Sequence, residues 1–509
     1  MKYVGFSEYY HDAGFAIIDE SGKLDFATHG ERYSKKKNDA ILPEELWDMV
    51  EGSDEEYHVS FYEDHTVKFD MRGGGGVKGS TKHLEKRPDV AEETFQRMIV
   101  PESLVYDVNH IHHESHCAAA FYTRPWDDKE DTVLVSIDGV GELQCATIMD
   151  SEFNLIKEWQ YPKSVGLVYT TVTKFLGLRP LEDEYVVMGL SAYHDTSPES
   201  KAISDWLIAW WEDLEDLAPE LAEGIPIGDM KVSKREQDRL RFREELRAKV
   251  LAVEDKVAAR ATQDFAEYAI MQIMTEAAKY GKKLCYSGGC AQNVVINSRL
   301  FELFDEVHIA CSPTDAGSGL GTAARSWAKA TGKDKLDWSP YCGYDIDREV
   351  DVKAVVDHLL EHKVCGIANG KAEFGPRALG NRSLIADVRY DVKDTVNTIK
   401  RRQKYRPFAP AILEEHAHEY FEGPMNEHMQ FTSKALHPYT SVTHVDGTAR
   451  VQLVPKDCES VFRKIIEEYY ARTGIPMLLN TSLNIRGRPM VNDEHDAELW
   501  EQKYGVKVF

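Results

Sequence analysis

His112 and His116, in the stretch Ile111-His112-His113-Glu114-Ser115-His116, are spaced so that one face of a helix carries both imidazoles. Such a pair is half of a metal site. The run from Thr132 to Ile137 reads as an apolar strand that ends on Asp138 and a glycine turn, Gly139-Val140-Gly141, and so offers a third ligand. Asp315, in Ser312-Pro313-Thr314-Asp315-Ala316-Gly317, is available as a fourth. Without those carboxylates the histidines would read as two surface residues on an ordinary helix. Two imidazoles with one or two carboxylates and open positions suit Fe(II), Mn(II) or Zn(II), and the oxygen-rich set favours iron.

The elements that position these residues show an internal repeat. Val4 to Asp19 reads as strand, polar turn, strand, and Ser21-Gly22 opens a hairpin into a third strand from Leu24 to His29. Leu134 to Met149 repeats the design around Asp138 and Gly141. Two copies predict a duplicated α/β domain of the actin-like, ribonuclease-H-like type, in which such turns meet nucleotide phosphates. Gly139 is then a candidate nucleotide contact. So are Gly288, Gly289 and Asn293, in a strand, glycine turn and helix opened by Lys283, and Gly317 at the head of a further helix. Residues 196 to 280 read as helical, with Trp206 and Trp210 at helical spacing as core residues.

A polar stretch from Lys329 to Tyr344 predicts a boundary, giving a domain over 1–340 and a second α/β domain over 345–509. Beyond it come three loops dense in arginine and small polar residues. They centre on Arg377 with Asn381, on Lys404 with Arg406, and on Ser482 and Asn484 with Arg488. Guanidinium forks that converge on an oxyanion are how phosphates and carboxylates are gripped.

With 509 residues and a formal net charge of −25, the chain exceeds one core and speaks against wholesale coating of nucleic acid. Two segments oppose that background: 65–87, with Lys68, Arg72, Lys78, Lys82, Lys86 and Arg87, and 231–249, each net +4 by count. A solvated helix face and a loop are the ordinary reading of such runs. No apolar stretch is long enough to span a bilayer, and Met1 leads directly into a strand without a signal peptide, so a cytoplasmic protein without a membrane partner is expected. Eight cysteines without a Cys-x-x-Cys pair read as reduced thiols.

At these residues the chain resembles the nodulation-type O-carbamoyltransferases, a family that includes tobramycin and cephem carbamoyltransferases. The resemblance is carried in order by Tyr10-His11-Asp12, Glu31-Arg32 with Lys37, His112-His113 with His116, Asp138-Gly139, Asp183-Glu184-Tyr185 with Met188-Gly189-Leu190, Gly288-Gly289 and Asp315. It continues through the run 374–383, then Arg406 to Pro410, then Asn480 to Asn484. It implies a first domain similar to the tRNA threonylcarbamoyltransferase and a second similar to the threonylcarbamoyl-adenylate synthase. Carbamoyl phosphate and ATP, with Mg(II), would then give carbamoyl adenylate in the second domain. Its carbamoyl group would pass to a hydroxyl in the first, where a metal ion assists. Asn38 stands where the family carries histidine and Val186 where it carries lysine, which touches acceptor contacts more than the metal or the adenylate site.

On this reading Arg377, Lys404, Arg406 and Arg488 bind the phosphate, while Asn381, Ser482 and Asn484 fix the amide end. His11, at the turn after the first strand, is the expected general base, and Lys37 stabilises developing charge or binds the acceptor. Sugar and antibiotic hydroxyls are the family-wide default acceptor. If the basic segments border the cleft, a hydroxymethylated pyrimidine in DNA or its nucleotide follows instead. Threonylcarbamoyl-type tRNA modification and a non-catalytic nucleotide-binding scaffold stay as alternatives from other classes, and a homodimer is left open.

Overall fold

Strand β1 (Lys2–Ser7) is a nearly unbroken apolar run because both of its faces are covered, as in the interior of an α/β sheet. The computed structural model describes residues 1–9, 11–51, 55–63, 104–107, 112–214 and 234–509, with the backbone alone at 51, 104–107 and 234–240. Tyr10, the basic segment 65–87 and Lys231 lie outside the described residues.

β1 is central in a five-stranded sheet of order β3-β2-β1-β4-β5, with β2 at Gly14–Asp19, β3 at Leu24–His29, β4 at Tyr57–Phe61 and β5 at Leu104–Asp107. β1 runs antiparallel to β2 and parallel to β4, and β4 parallel to β5. A second sheet repeats this arrangement. Its order, read from the other edge, is β8-β7-β6-β9-β10, with β6 at Thr132–Ile137, β7 at Gln144–Asp150, β8 at Leu155–Gln160, β9 at Lys283–Ser287 and β10 at Glu306–Ile309. β6 is antiparallel to β7 and parallel to β9, which is parallel to β10. The same strand order and the same orientations twice over are the duplicated, actin-like α/β design that the paired hairpins predict.

The helix Asp315–Thr331 packs on β1, on β2 and on the helix His112–Phe121. Its glycines permit this closeness: a Cβ on Gly321 would lie 1.8 Å from the Ser115 carbonyl oxygen, and one on Gly319 would lie 2.9 Å from that of Gly14 in β2. Among the described residues the expected helical stretch holds three helices, Pro198–Asp213, Lys234–Leu251 and Asp255–Ala277. Trp206 and Trp210 are not core residues: both are half-buried and stack on Phe242, with ring centroids 5.2 and 3.9 Å away. Among the described residues no helix is long and apolar enough to cross a membrane, and none of the eight cysteines forms a disulfide.

The chain divides into two compact units, one of residues 1–25, 40–291 and 301–338, the other of 26–39, 292–300 and 339–509. Two short segments, 26–39 and 292–300, therefore group with the carboxyl-terminal part. In that second unit a sheet of order β11-β12-β15-β13-β14 is antiparallel except for the β13/β14 pair. These strands are Val364–Ala368, Arg382–Ala386, Met477–Ser482, Ala409–Leu413 and Gln452–Val454. The helices Val352–His362 and Val461–Thr473 supply Val355, Leu359, Phe462 and Ile466 to one apolar cluster on this sheet. A second cluster is built around Leu384, Phe408, Leu479 and Trp500.

Candidate metal centre and anion site

In the helix His112–Phe121 the two imidazoles meet as the spacing demands, with His112 Nε2 and His116 Nε2 3.0 Å apart. Both rings are buried. Asp138, just after β6, places Oδ2 3.2 Å from His112 Nε2. Asp315, in the first turn of its helix, places Oδ1 3.4 Å from His112 Nε2 and 3.3 Å from His116 Nε2. All four ligand atoms lie within 4.8 Å of one another, and among the described residues no other cluster of three or more His, Cys, Asp or Glu residues is close enough to share an ion. Two nitrogens and two oxygens around one point, with two carboxylates drawn together away from water, fit a divalent cation.

The surroundings set this geometry. Glu142 accepts the His112 backbone N–H at 2.8 and 3.1 Å, so a carboxylate caps the positive end of the helix. Gly289 N–H donates to Asp138 Oδ1 at 2.8 Å, and Gly288 allows the turn with φ of +92° where a Cβ would meet the Ile137 carbonyl. Ser318 Oγ lies 3.2 Å from His116 Nδ1. Burial raises the Asp138 carboxyl, but His112 and His116 outweigh it and hold it well below the usual range. Asp315 is lowered likewise, burial being outweighed by His112 and His11. His11 Nε2 stands 3.5 Å from Asp315 Oδ2. Burial alone would lower this imidazole, yet Asp315 and Asp12 push it up to about 9.

In the second unit the buried ammonium of Lys400 is held by Ser482 and Asn484. Its Nζ donates to Asn484 Oδ1 at 2.8 Å, to Ser482 Oγ and the Asn484 carbonyl at 3.2 Å, and to the Ser482 carbonyl. Burial, then Arg402 and Arg406, hold this amine well below an ordinary lysine. A cation poised beside arginines, with its charge held back by desolvation, is a place for an anion.

Residues 80–324 match the description "Carbamoyltransferase N-terminus" and residues 356–508 "Carbamoyltransferase C-terminus", together most of the chain. The chain belongs to the carbamoyltransferase family. Nodulation protein NolNO of Sinorhizobium fredii is 30% identical over 76% of this chain, which spans 60% of that protein. Nodulation protein U of Rhizobium tropici is 27% identical over 96% of the chain and 92% of its own length, and the uncharacterized protein MJ1051 of Methanocaldococcus jannaschii 28% identical over 96% and 94%.

In this member of the family the expected ligands His112, His116, Asp138 and Asp315 come together, with His11 beside them. Gly289 donates to Asp138, and the Gly139 carbonyl accepts from Ser164 Oγ at 2.6 Å. Asn293 accepts the Ile296 N–H at 3.3 Å, a helix cap in the second unit. Lys37, also in that unit, is bound by both oxygens of Glu31 at 2.8 and 2.9 Å. Of the expected anion ligands, Ser482 and Asn484 share Lys400, Arg406 is buried close to it, and the Arg488 carbonyl accepts from Asn484 Nδ2 at 2.8 Å. Asn381 Nδ2 donates to the Lys371 carbonyl at 2.8 Å, and Arg377 is half-buried in the loop that follows Glu373. Lys404 faces solvent, paired with Asp394 at 3.0 Å. Arg382 is wholly buried on backbone carbonyls, a brace for the loops.

Lys400 was not singled out by its sequence. The signal available was the helix Lys393–Ile399, whose buried face of Val396 and Asn397 continues into residue 400.

Proposed function

We propose that this protein is an ATP-dependent O-carbamoyltransferase that moves the carbamoyl group of carbamoyl phosphate, through carbamoyl adenylate, to an acceptor hydroxyl. The convergence of His112, His116, Asp138 and Asp315 carries this reading, because a nucleotide-binding scaffold without chemistry has no use for four such groups in one spot. Family membership over both halves favours a carbamoyl donor over threonylcarbamoyl-type tRNA modification.

In the second unit Lys400, Arg406 and Arg377 bind phosphate, while Ser482 and Asn484 orient the amide. Transfer of the phosphoryl group to water frees carbamate. A carbamate oxygen attacks the α-phosphorus of ATP, supplied with Mg(II), and pyrophosphate leaves. In the first unit the acceptor hydroxyl attacks the carbamoyl carbon, AMP departs with the bonding pair, and the hydroxyl proton passes to His11. Carbamoyl phosphate, ATP, water and alcohol thus become carbamate ester, AMP, pyrophosphate and phosphate. A divalent ion on the four ligands, iron before manganese or zinc, supplies Lewis-acid polarisation of the carbamoyl carbonyl. An ion held by Asp138 and Asp315 would weaken their hold on His11 and leave its imidazole nearer the neutral form that a base needs.

A sugar-type alcohol is the default acceptor. The two basic segments in an acidic chain support a second, a hydroxymethylated pyrimidine in DNA or its nucleotide. Candidate alcohols incubated with carbamoyl phosphate, ATP and Fe(II) should gain one carbamoyl group by mass spectrometry. AMP formed with no carbamoylated product across both classes would count against transfer to oxygen.

A further inference from the structure

The imidazole of His112 has two ends, and only one faces the metal ligands. The other, Nδ1, lies 3.5 Å from Oε2 of Glu63, and both side chains are buried completely or nearly so. Glu63 follows β4 in a segment tied from two sides. Thr322 Oγ1 donates to the Phe61 carbonyl at 3.1 Å and Ser115 Oγ to the Tyr62 carbonyl at 2.9 Å. Thr322 belongs to the helix that starts at Asp315, and Ser115 to the helix of His112 and His116. The Tyr62 ring packs on that of His112, with centroids 5.2 Å apart. The carboxylate is thus anchored by the two helices that bring three of the four ligands.

A buried carboxylate is costly to keep, and a glutamine of the same shape would avoid the charge. Its place at Nδ1 gives it a use. An imidazole that donates to a metal through Nε2 must carry its proton on Nδ1, and an anion there fixes the tautomer, holds the ring plane and raises the basicity of Nε2. His116 is supported differently, since its Nδ1 meets the hydroxyl of Ser318 at 3.2 Å.

Resting on the metal-centre reading, we propose that Glu63 is a positioning residue of that centre: it orients His112 through Nδ1 and makes it the stronger donor of the two histidines, without itself binding the ion.

The test is metal affinity of the full chain, stripped with a chelator and titrated with Zn(II) and, without oxygen, with Fe(II). Glu63→Gln should weaken binding about 10- to 100-fold, with the circular dichroism of wild type and a metal-free melting temperature no lower. Glu63→Asp, which keeps the charge, should fall between. Wild-type affinity in Glu63→Gln, or equal weakening in both variants, would overturn the proposal. If Glu63→Gln does not fold, 15N spectra of the His-labelled, zinc-loaded wild type decide. One metal-bound imidazole must show an Nδ1 proton shifted by a carboxylate partner, and its absence overturns the proposal. His116→Ala keeps the two readings apart. Undiminished binding in that variant would fell the metal centre itself, whereas its loss beside an unaffected Glu63→Gln fells only the role of Glu63.

Discussion

Replacing Lys400 by methionine keeps the length of a buried side chain and removes its charge. Lys400 Nζ sits 2.8 Å from Asn484 Oδ1 and 3.2 Å from Ser482 Oγ, so a phosphate gripped by this group shares a cation already oriented by neutral partners. A hydrogen bond to a charged group contributes about 1.5–3 kcal/mol. At about 1.4 kcal/mol per factor of ten, Lys400→Met should raise the KM for carbamoyl phosphate about 10- to 150-fold in an assay of AMP and pyrophosphate release. The pH dependence gives a second readout. Burial holds the amine well below its ordinary 10.5 and a bound dianion favours the charged form, so wild-type affinity should tighten as pH falls toward the depressed value. Stability moves the other way. Between the depressed value and 10.5 the unfolded chain holds the proton that the folded chain lacks, so stability rises with pH across that window and Lys400→Met flattens the rise. An unchanged KM for carbamoyl phosphate in a folded Lys400→Met protein would refute the reasoning.

His116→Ala should lose bound metal and carbamoyl transfer while carbamoyl-adenylate formation continues, as metal analysis and an AMP assay will show. In metal-free protein the His11 imidazole is raised from 6.5 to about 9, so its stabilising contribution is complete below pH 6.5 and disappears as pH rises through 9. The difference in urea midpoint between wild type and His11→Gln should shrink across that window, and a constant difference would contradict it. Gly321→Ala drives a Cβ to 1.8 Å from the Ser115 carbonyl oxygen, so the two helices must part, at a cost of about 1–3 kcal/mol in urea unfolding and with weakened metal binding. If the acceptor is nucleic acid, neutralising Lys78, Lys82, Lys86 and Arg87 together should weaken binding and flatten its salt dependence while AMP formation is spared. Equal carbamoylation of a free sugar by wild type and this variant, with no DNA or nucleotide product, would return the acceptor to the small-molecule class.

What the sequence determined by itself is what depends on near neighbours. Helical periodicity places His112 and His116 on one face whatever surrounds them, and strand period with turn chemistry yields β1, β2, β6, β7 and the position of Asp138 at a strand end. Repetition of that pattern made the duplicated α/β design legible before any contact was seen. Packing decided the rest. Asp315 reaches the histidines only because glycines let its helix approach both β1 and the helix of His112. Gly289 donates its N–H to Asp138, a partner that the glycine turn by itself does not reveal. Trp206 and Trp210 share the spacing of core residues, yet how far they are covered depends on a partner helix that their own spacing does not reveal. In Lys400-Arg401-Arg402-Gln403-Lys404 charge and spacing do not distinguish the two lysines. One is buried by the end of its helix against Ser482 and Asn484, and the other extends to Asp394 in solvent. Glu63 carries no signal in its neighbours, because a carboxylate after a strand is ordinary until a histidine from elsewhere in the chain turns its Nδ1 toward it.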